Sequence, residues 1–145
     1  MLSGLAHDPL LRDIFTPLSL GAALCIPGQE LFDLAGKLAW WMREEKITIA
    51  NLTPAMGQFI LAARTGDAGL KLADLRYAFF VGDTLTRSDV SLFRKLAPYA
   101  TCINLYGTTE TQRSLAHYIV PAEEKVDEAR VLRKEVIPVG RCIHG

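Results

Sequence analysis

Short apolar runs alternate along this chain with stretches of helical period, and that alternation constrains the fold more than any other feature. Ile47–Leu52 reads as a β-branched strand, Leu75–Val81 as a second that ends at Gly82, and Cys102–Leu105 as a third. Between them lie helical segments of the kind that connect parallel strands. Thr53 is placed to cap the first, with Pro54 at its opening position. Ala55, Met56, Phe59, Ile60 and Ala63 give it an apolar side. Thr86-Arg87-Ser88-Asp89 has the spacing of a capping box. Val90, Phe93, Leu96 and Ala97 continue it as a helix, and Pro98 stops it.

The flanks extend the pattern. Residues 22–26 read as a short buried strand stopped by Pro27-Gly28, and Leu31, Leu34, Ala35, Leu38, Ala39 and Met42 mark a helix over 31–45. Trp40 and Trp41 cannot share a helix face, so one of them packs against a neighbouring element. An earlier helix starts at Asp8-Pro9 and carries Ile14, Phe15 and Leu18. Leu115–Val120 is a candidate strand. Residues 121–135 hold nine of the 32 charged side chains and read as a solvated, partly helical excursion before the apolar Val136–Gly140. The expected class is α/β, a largely parallel sheet with flanking helices.

Composition narrows the function. The 16 basic side chains balance the 16 acidic ones, and half of the residues are apolar. A disordered charged tail is excluded, and no basic face invites nucleic acid. No apolar run reaches the roughly 18 residues of a membrane span, and Met1–Leu10 lacks the basic start of a signal peptide. Cys25, Cys102 and Cys142 are far apart, with no zinc spacing; they are expected to be small buried thiols in a reducing, cytoplasmic setting. His7, His117 and His144 do not cluster.

In parallel sheets, ligands gather where strands end. Two such ends carry unusual residues: Val81-Gly82-Asp83-Thr84-Leu85 and Asn104-Leu105-Tyr106-Gly107-Thr108-Thr109-Glu110-Thr111. In the second, Tyr106 offers a flat ring, the threonines offer hydroxyls, Gly107 permits close approach, and Glu110 offers a hard carboxylate suited to Mg²⁺. Ring, hydroxyls and carboxylate match the needs of a nucleotide; an ordinary Gly/Thr turn before a helix has the same composition.

The run Asn104–Gln112 resembles the Asn-x-Tyr-Gly-Pro-Thr-Glu motif of the adenylate-forming superfamily, which includes acyl-CoA synthetases, luciferases and peptide-synthetase adenylation domains. Thr108 stands where proline is usual. Four further segments resemble that family in order: His7–Pro27, with His7 and Leu10 departing from the usual Phe-Asp-x-Ser; Asn51–Met56; Val81–Leu85; and Ile137–Arg141. The resemblance implies that Tyr106 stacks on adenine, with Gly107 beside it. It implies that Thr109 contacts the α-phosphate, Glu110 binds Mg²⁺, and Gly82 and Asp83 line the adenine side. The implied reaction joins a substrate carboxylate to the α-phosphorus of ATP.

Aligned by motif, the acyl pocket falls on Asp8, Pro9, Arg12, Ala55, Phe79, Val81, Leu105, Arg113 and Ser114. Two arginines there call for an anionic partner, because an unpaired buried charge costs on the order of several kcal/mol. Asp8 is open to two readings, an ammonium ligand or a helix cap, and Arg12 is also spaced to pair with Asp8 along a helix. The run Ala6–Ala22 followed by Asn51–Gln58 resembles the fungal α-aminoadipate reductases. That family activates the side-chain carboxyl of L-2-aminoadipate in lysine biosynthesis, loads a phosphopantetheine carrier and reduces the thioester with NADPH. The likeness implies that Arg12 or Arg113 holds the α-carboxylate.

The family's phosphate loop, its ribose-binding segment and its small C-terminal subdomain have no counterpart between Met1 and Gly145. The expectation is an incomplete piece of the large N-terminal subdomain, belonging to a multidomain parent and inactive alone. An adenylation-domain piece of a nonribosomal peptide synthetase, a non-catalytic nucleotide-binding module and a remnant without function are the alternatives.

Overall fold

The computed structural model describes residues 2, 9–33, 36–62, 69–111, 114–122 and 135–143. Within them the chain forms helices α1 (Pro9–Ser19), α2 (Lys37–Glu44), α3 (Pro54–Leu61) and α4 (Arg87–Leu96). The strands are β1 (Ile49–Leu52), β2 (Tyr77–Phe80), β3 (Thr101–Tyr106), β4 (Ala116–Ile119) and β5 (Arg141–Cys142). They make one five-stranded sheet in sequence order. β1, β2 and β3 run parallel. β4 and β5 extend the sheet antiparallel. The α/β class and mostly parallel sheet follow the sequence pattern; the two-residue β5 does not announce itself in an apolar run.

Local chemistry fixes the helix starts. The Thr53 hydroxyl accepts from the Met56 N–H at 3.1 Å, and Pro54 opens α3. At α4 the Thr86 hydroxyl accepts from the Asp89 N–H at 3.2 Å, and the Asp89 carboxylate accepts from the Thr86 N–H at 3.0 Å. Both ends of a capping box are therefore closed. At the end of α2, the N–H of Ile47 reaches the Met42 carbonyl and that of Lys46 reaches Arg43, both at 3.0 Å. This is a Schellman closure, with Lys46 at φ +50 where glycine is usual.

The core lies on one sheet face. Register aligns Ala50, Ala78 and Cys102 in one row and Leu52, Phe80 and Asn104 in the next, and all six are buried. Val90, Phe93 and Leu96 of α4 pack on that face. Phe80 meets Phe93 edge to face, with centroids 5.3 Å apart, a geometry that aromatic rings favour. Gly57 lets α3 approach closely, since a Cβ there would stand 2.9 Å from Phe80 Cε1. Of the tryptophans, Trp41 packs against the core, while Trp40 is exposed with the Arg43 guanidinium 3.9 Å above its ring.

Four expectations are corrected. Residues 22–26 form no strand: Ile26 is 61% exposed. After Gly21 turns at φ +69, the segment runs outside the sheet, and an apolar run without a ladder partner stays irregular. The buried side of α3 is Pro54, Gly57 and Ile60, while Ala55 is exposed, because the Phe80 ring fills the space that larger side chains would need. In α1, Phe15 and Leu18 are exposed and Asp13 is buried. Only Cys102 is a fully buried thiol; Cys25 is half-buried and Cys142, on the two-residue β5, is exposed. Burial pushes the Cys102 thiol pKa up, against the opposing pull of Arg94. The Asp8 cap, and most of the 121–135 excursion, lie outside the described residues.

Gly57→Val should destabilise the chain by about 1–3 kcal/mol, the usual cost of overpacking, read as a lower midpoint in chemical or thermal unfolding. An unchanged or higher midpoint would show that α3 does not rest on Phe80.

Candidate functional site

The parallel ladder places three chain exits at one edge of the sheet. Leu52, Phe80 and Asn104 stand side by side in register. Just beyond them the chain leaves β1 into Thr53-Pro54, leaves β2 into Val81-Gly82-Asp83, and runs through Tyr106 into Gly107–Thr111. The Val81 N–H still donates to the Leu52 carbonyl at 3.0 Å. Gly82 then turns at φ +95, a conformation that favours glycine. Asp83 is exposed, and its carboxylate accepts from the Thr84 N–H at 2.6 Å.

Opposite α3 and α4, a second face carries the expected pocket residues. Asn51, Phe79, Ile103 and Ile119 align across four strands. Val81 and Leu105 lie two residues further along their chains on that face, both half-buried like Phe79. Arg12 reaches the same region through Asp13, whose Oδ1 lies 3.1 Å from Asn51 Nδ2. The Arg12 guanidinium is held by that carboxylate, Nη2 at 2.8 Å and Nε at 3.0 Å. Its anionic partner is thus its sequence neighbour. Ala55 sits in the first turn of α3, and Ser114, half-buried, precedes β4. Asp8 and Arg113 lie outside the described residues.

At the end of β3 the Tyr106 ring is 48% exposed, available to stack on a ligand. The backbone then enters a 3-10 turn over Thr109–Thr111. The Thr108 N–H donates to the Thr111 hydroxyl at 3.1 Å, and that hydroxyl donates to the Thr108 carbonyl at 2.9 Å. Glu110 is exposed. Its pKa lies below the ordinary 4.5, because its own backbone N–H donates to the carboxylate and the Thr108 hydroxyl adds a second bond. Thr108 thus supplies a donor that proline would lack. An exposed carboxylate offers a hard oxygen of the kind Mg²⁺ takes. Among the described residues no three His, Cys, Asp or Glu side chains gather, so a cation here would take its other oxygens from phosphate and water, as Mg²⁺ does.

Three polar residues that the sequence pattern did not single out organise this edge. Asp13 and Asn51 join α1 to β1. Asn104, buried at 5% exposure, donates from Nδ2 to the carbonyls of Ile137 and Pro138 at 3.3 and 3.0 Å. The same strap touches the exit of β2, where Ile137 N–H donates to Leu85 and Arg87 N–H to Glu135, each at 2.8 Å. At Gly140, φ +82, a Cβ would overlap the His117 carbonyl. Asn104 stands inside the Tyr-Gly motif, so its position was visible, but its partners lie more than 30 residues away.

Among the described residues no helix is long and apolar enough to cross a membrane. A family model described as AMP-binding enzyme matches residues 1–143. The chain is similar to the L-2-aminoadipate reductase of Schizosaccharomyces pombe, 48% identical over 141 residues, which are 97% of this chain and 10% of that protein. It is also similar to that of Saccharomyces cerevisiae, 45% identical over 143 residues with the same shares, 97% and 10%. The chain therefore spans about a tenth of the length of the curated relatives it matches. A crystal structure of the nonribosomal peptide synthetase FmoA3 bound to α-methyl-L-serine-AMP superposes with a TM-score of 0.81. It is 26% identical and covers 98% of this chain and 15% of its own. For fold alone, the Vibrio cholerae adenylation domain AlmE with glycyl-adenosine-5'-phosphate superposes with a TM-score of 0.76 at 24% identity, over 97% of this chain and 24% of its own.

A titration of the Glu110 carboxyl followed by carbon NMR should have its midpoint below 4.5, the ordinary value. Thr108→Val should move it upward. A midpoint at or above the ordinary value in the unsubstituted chain would contradict the hydrogen-bonded carboxylate.

Proposed function

The chain belongs to the AMP-binding enzyme family, and from that premise we propose that it forms the acyl pocket and part of the nucleotide site of an adenylation domain that activates L-2-aminoadipate. The observation that carries the proposal is the convergence of three strand exits at one end of the parallel strands, with Tyr106 and Glu110, both exposed, on the last of them.

In this reading Tyr106 stacks on the adenine of ATP, and Gly82 and Asp83 border it. Gly107 keeps the backbone close to the nucleotide, and Thr109 contacts the α-phosphate. Glu110 would hold Mg²⁺ through a carboxylate oxygen, and the ion when bound would supply neutralisation of charge on the phosphates. A carboxylate oxygen of the substrate forms a bond to the α-phosphorus as the bond to the bridging oxygen breaks. Pyrophosphate leaves with that electron pair, and the product is the acyl-adenylate. Phe79, Val81, Leu105, Ala55 and Ser114 wall the acyl chain. Arg113 and Arg12 face the carboxylate that does not react, and Asp8 faces the ammonium group. In a reductase, the acyl group would pass to a phosphopantetheine thiol with AMP as the leaving group, and the thioester would be reduced with NADPH; the residues named here act before those steps. Support for the amino-dicarboxylate comes from the relatives at 45–48% identity, which are L-2-aminoadipate reductases, and from the two arginines at pocket positions.

An adenylation domain of a peptide synthetase is the second reading, favoured by the superposition on FmoA3. Substrate preference separates the two. The direct experiment places this chain in the Schizosaccharomyces pombe reductase in exchange for the 141 residues it matches, and measures ATP–pyrophosphate exchange. Exchange driven by L-2-aminoadipate supports the proposal. Exchange driven by other amino acids supports the second reading, and none at all overturns both.

In that graft, Glu110→Gln should lower exchange by about tenfold or more across a Mg²⁺ titration, the scale of losing a metal ligand's contribution. Unchanged exchange would remove Glu110 from the metal. Arg113→Ala should raise the KM for L-2-aminoadipate far more than that for ATP; equal effects would remove Arg113 from the pocket.

A further inference from the structure

Asp13 is 5% exposed, the one charged residue among the buried ones described. A carboxylate in such a place requires strong partners. Its Oδ1 accepts from Arg12 Nη2 at 2.8 Å, Arg12 Nε at 3.0 Å and Asn51 Nδ2 at 3.1 Å. Asn51 lies in register with Phe79, and Phe79 with Ile103, so this contact seats α1 against the face that carries the pocket positions. Leu11, Phe15 and Leu18 contribute little to this seating, being 63%, 62% and 54% exposed, while Leu10 and Ile14 are half-buried. The buried polar contact is the directional one among these.

The same oxygen also orients Arg12. Two guanidinium nitrogens on one acceptor fix the plane of the group, and Nη1 lies outside that pair. The Arg12 side chain keeps 33% of its surface exposed while the Asp13 side chain keeps 3%. The buried member thus anchors the accessible one.

We propose that Asp13 is a positioning residue of the acyl pocket, holding Arg12 so that its remaining edge meets the non-reacting carboxylate of a dicarboxylic amino acid. The inference rests on the adenylating function proposed above. Asp13 touches no substrate in this scheme and acts through Arg12. Substrates with a second carboxylate gain from it; ATP does not.

A double-mutant cycle in the grafted reductase tests this, with KM values for L-2-aminoadipate and ATP taken from pyrophosphate exchange. Asp13→Asn should raise the aminoadipate KM by about tenfold or more, the scale of a lost charge-assisted bond, and the ATP KM by less than about twofold. On an Arg12→Ala background, the same substitution should add less than about twofold, because the two residues act as one unit. Asp13→Glu retains the charge one methylene further out and should recover part of the aminoadipate affinity. Should Asp13→Asn fail to fold, Asp13→Glu alone carries the test, with an intermediate aminoadipate KM and an unchanged ATP KM. Multiplicative effects of Asp13→Asn and Arg12→Ala, parallel rises in both KM values, or an Asp13→Glu enzyme indistinguishable from the unsubstituted graft would leave Asp13 as structural support only and overturn the proposal. Absence of exchange in the unsubstituted graft is a separate failure, that of the adenylating function itself.

Discussion

The register of the parallel ladder governs everything at the candidate site. Leu52, Phe80 and Asn104 stand abreast, so the chain leaves β1 and β2 side by side and β3 two residues further on, adjacent strands being about 4.8 Å apart. Because side chains alternate between faces, shifting one strand by a single residue would turn Phe79 and Val81 toward the helices and Phe80 away from them. The register is held from the helix side. Leu52 and Phe80 are sealed beneath α3 and α4, Gly57 brings α3 down onto Phe80, and Phe93 closes against that ring. Packing on one face thereby sets which residues the other face offers to a ligand.

The central units were legible in the sequence because their signals are local. The hydroxyl of Thr53 and the box at Thr86 and Asp89 act within one helical turn, and the strands between them are bounded by Pro, Gly and polar residues. The Tyr106–Glu110 segment was legible as a motif because its chemistry lies in consecutive residues. What was not legible depends on distance in space. Of the apolar side expected for α3, Ile60 is buried and Met56 and Phe59 pack against the core, while Ala55 is exposed and Gly57 makes the close contact, because an aromatic ring from β2 occupies that place. The apolar run at 22–26 resembles a strand, yet nothing local tells whether a ladder partner stands beside it. Asp13 hides most fully. Spacing puts Ile14, Phe15 and Leu18 on one run of α1, and only the partner 38 residues away, Asn51, explains why a carboxylate is the buried residue instead.

The polar contacts share a design. Asn104 at the end of β3 holds the strap at Ile137 and Pro138, which also pairs with the exit of β2. Asp13 and Asn51 join α1 to the opposite face. Asp13 and Asn104 are buried polar residues held by hydrogen bonds, which makes these contacts directional where hydrophobic packing is not. The adenine side and the acyl side of the proposed site are thus each tied down by one buried polar residue, and the two ties meet through the strands that carry Phe79 and Tyr106.

The central claim is that Tyr106 and Glu110 face the same nucleotide. A crystal structure of the grafted reductase with Mg²⁺ and a non-hydrolysable ATP analogue tests it most directly. The account predicts adenine stacked on the Tyr106 ring, with the Glu110 carboxylate directed at the cation between the phosphates. A nucleotide bound elsewhere, or bound with Tyr106 turned away and Glu110 pointing to solvent, would contradict it.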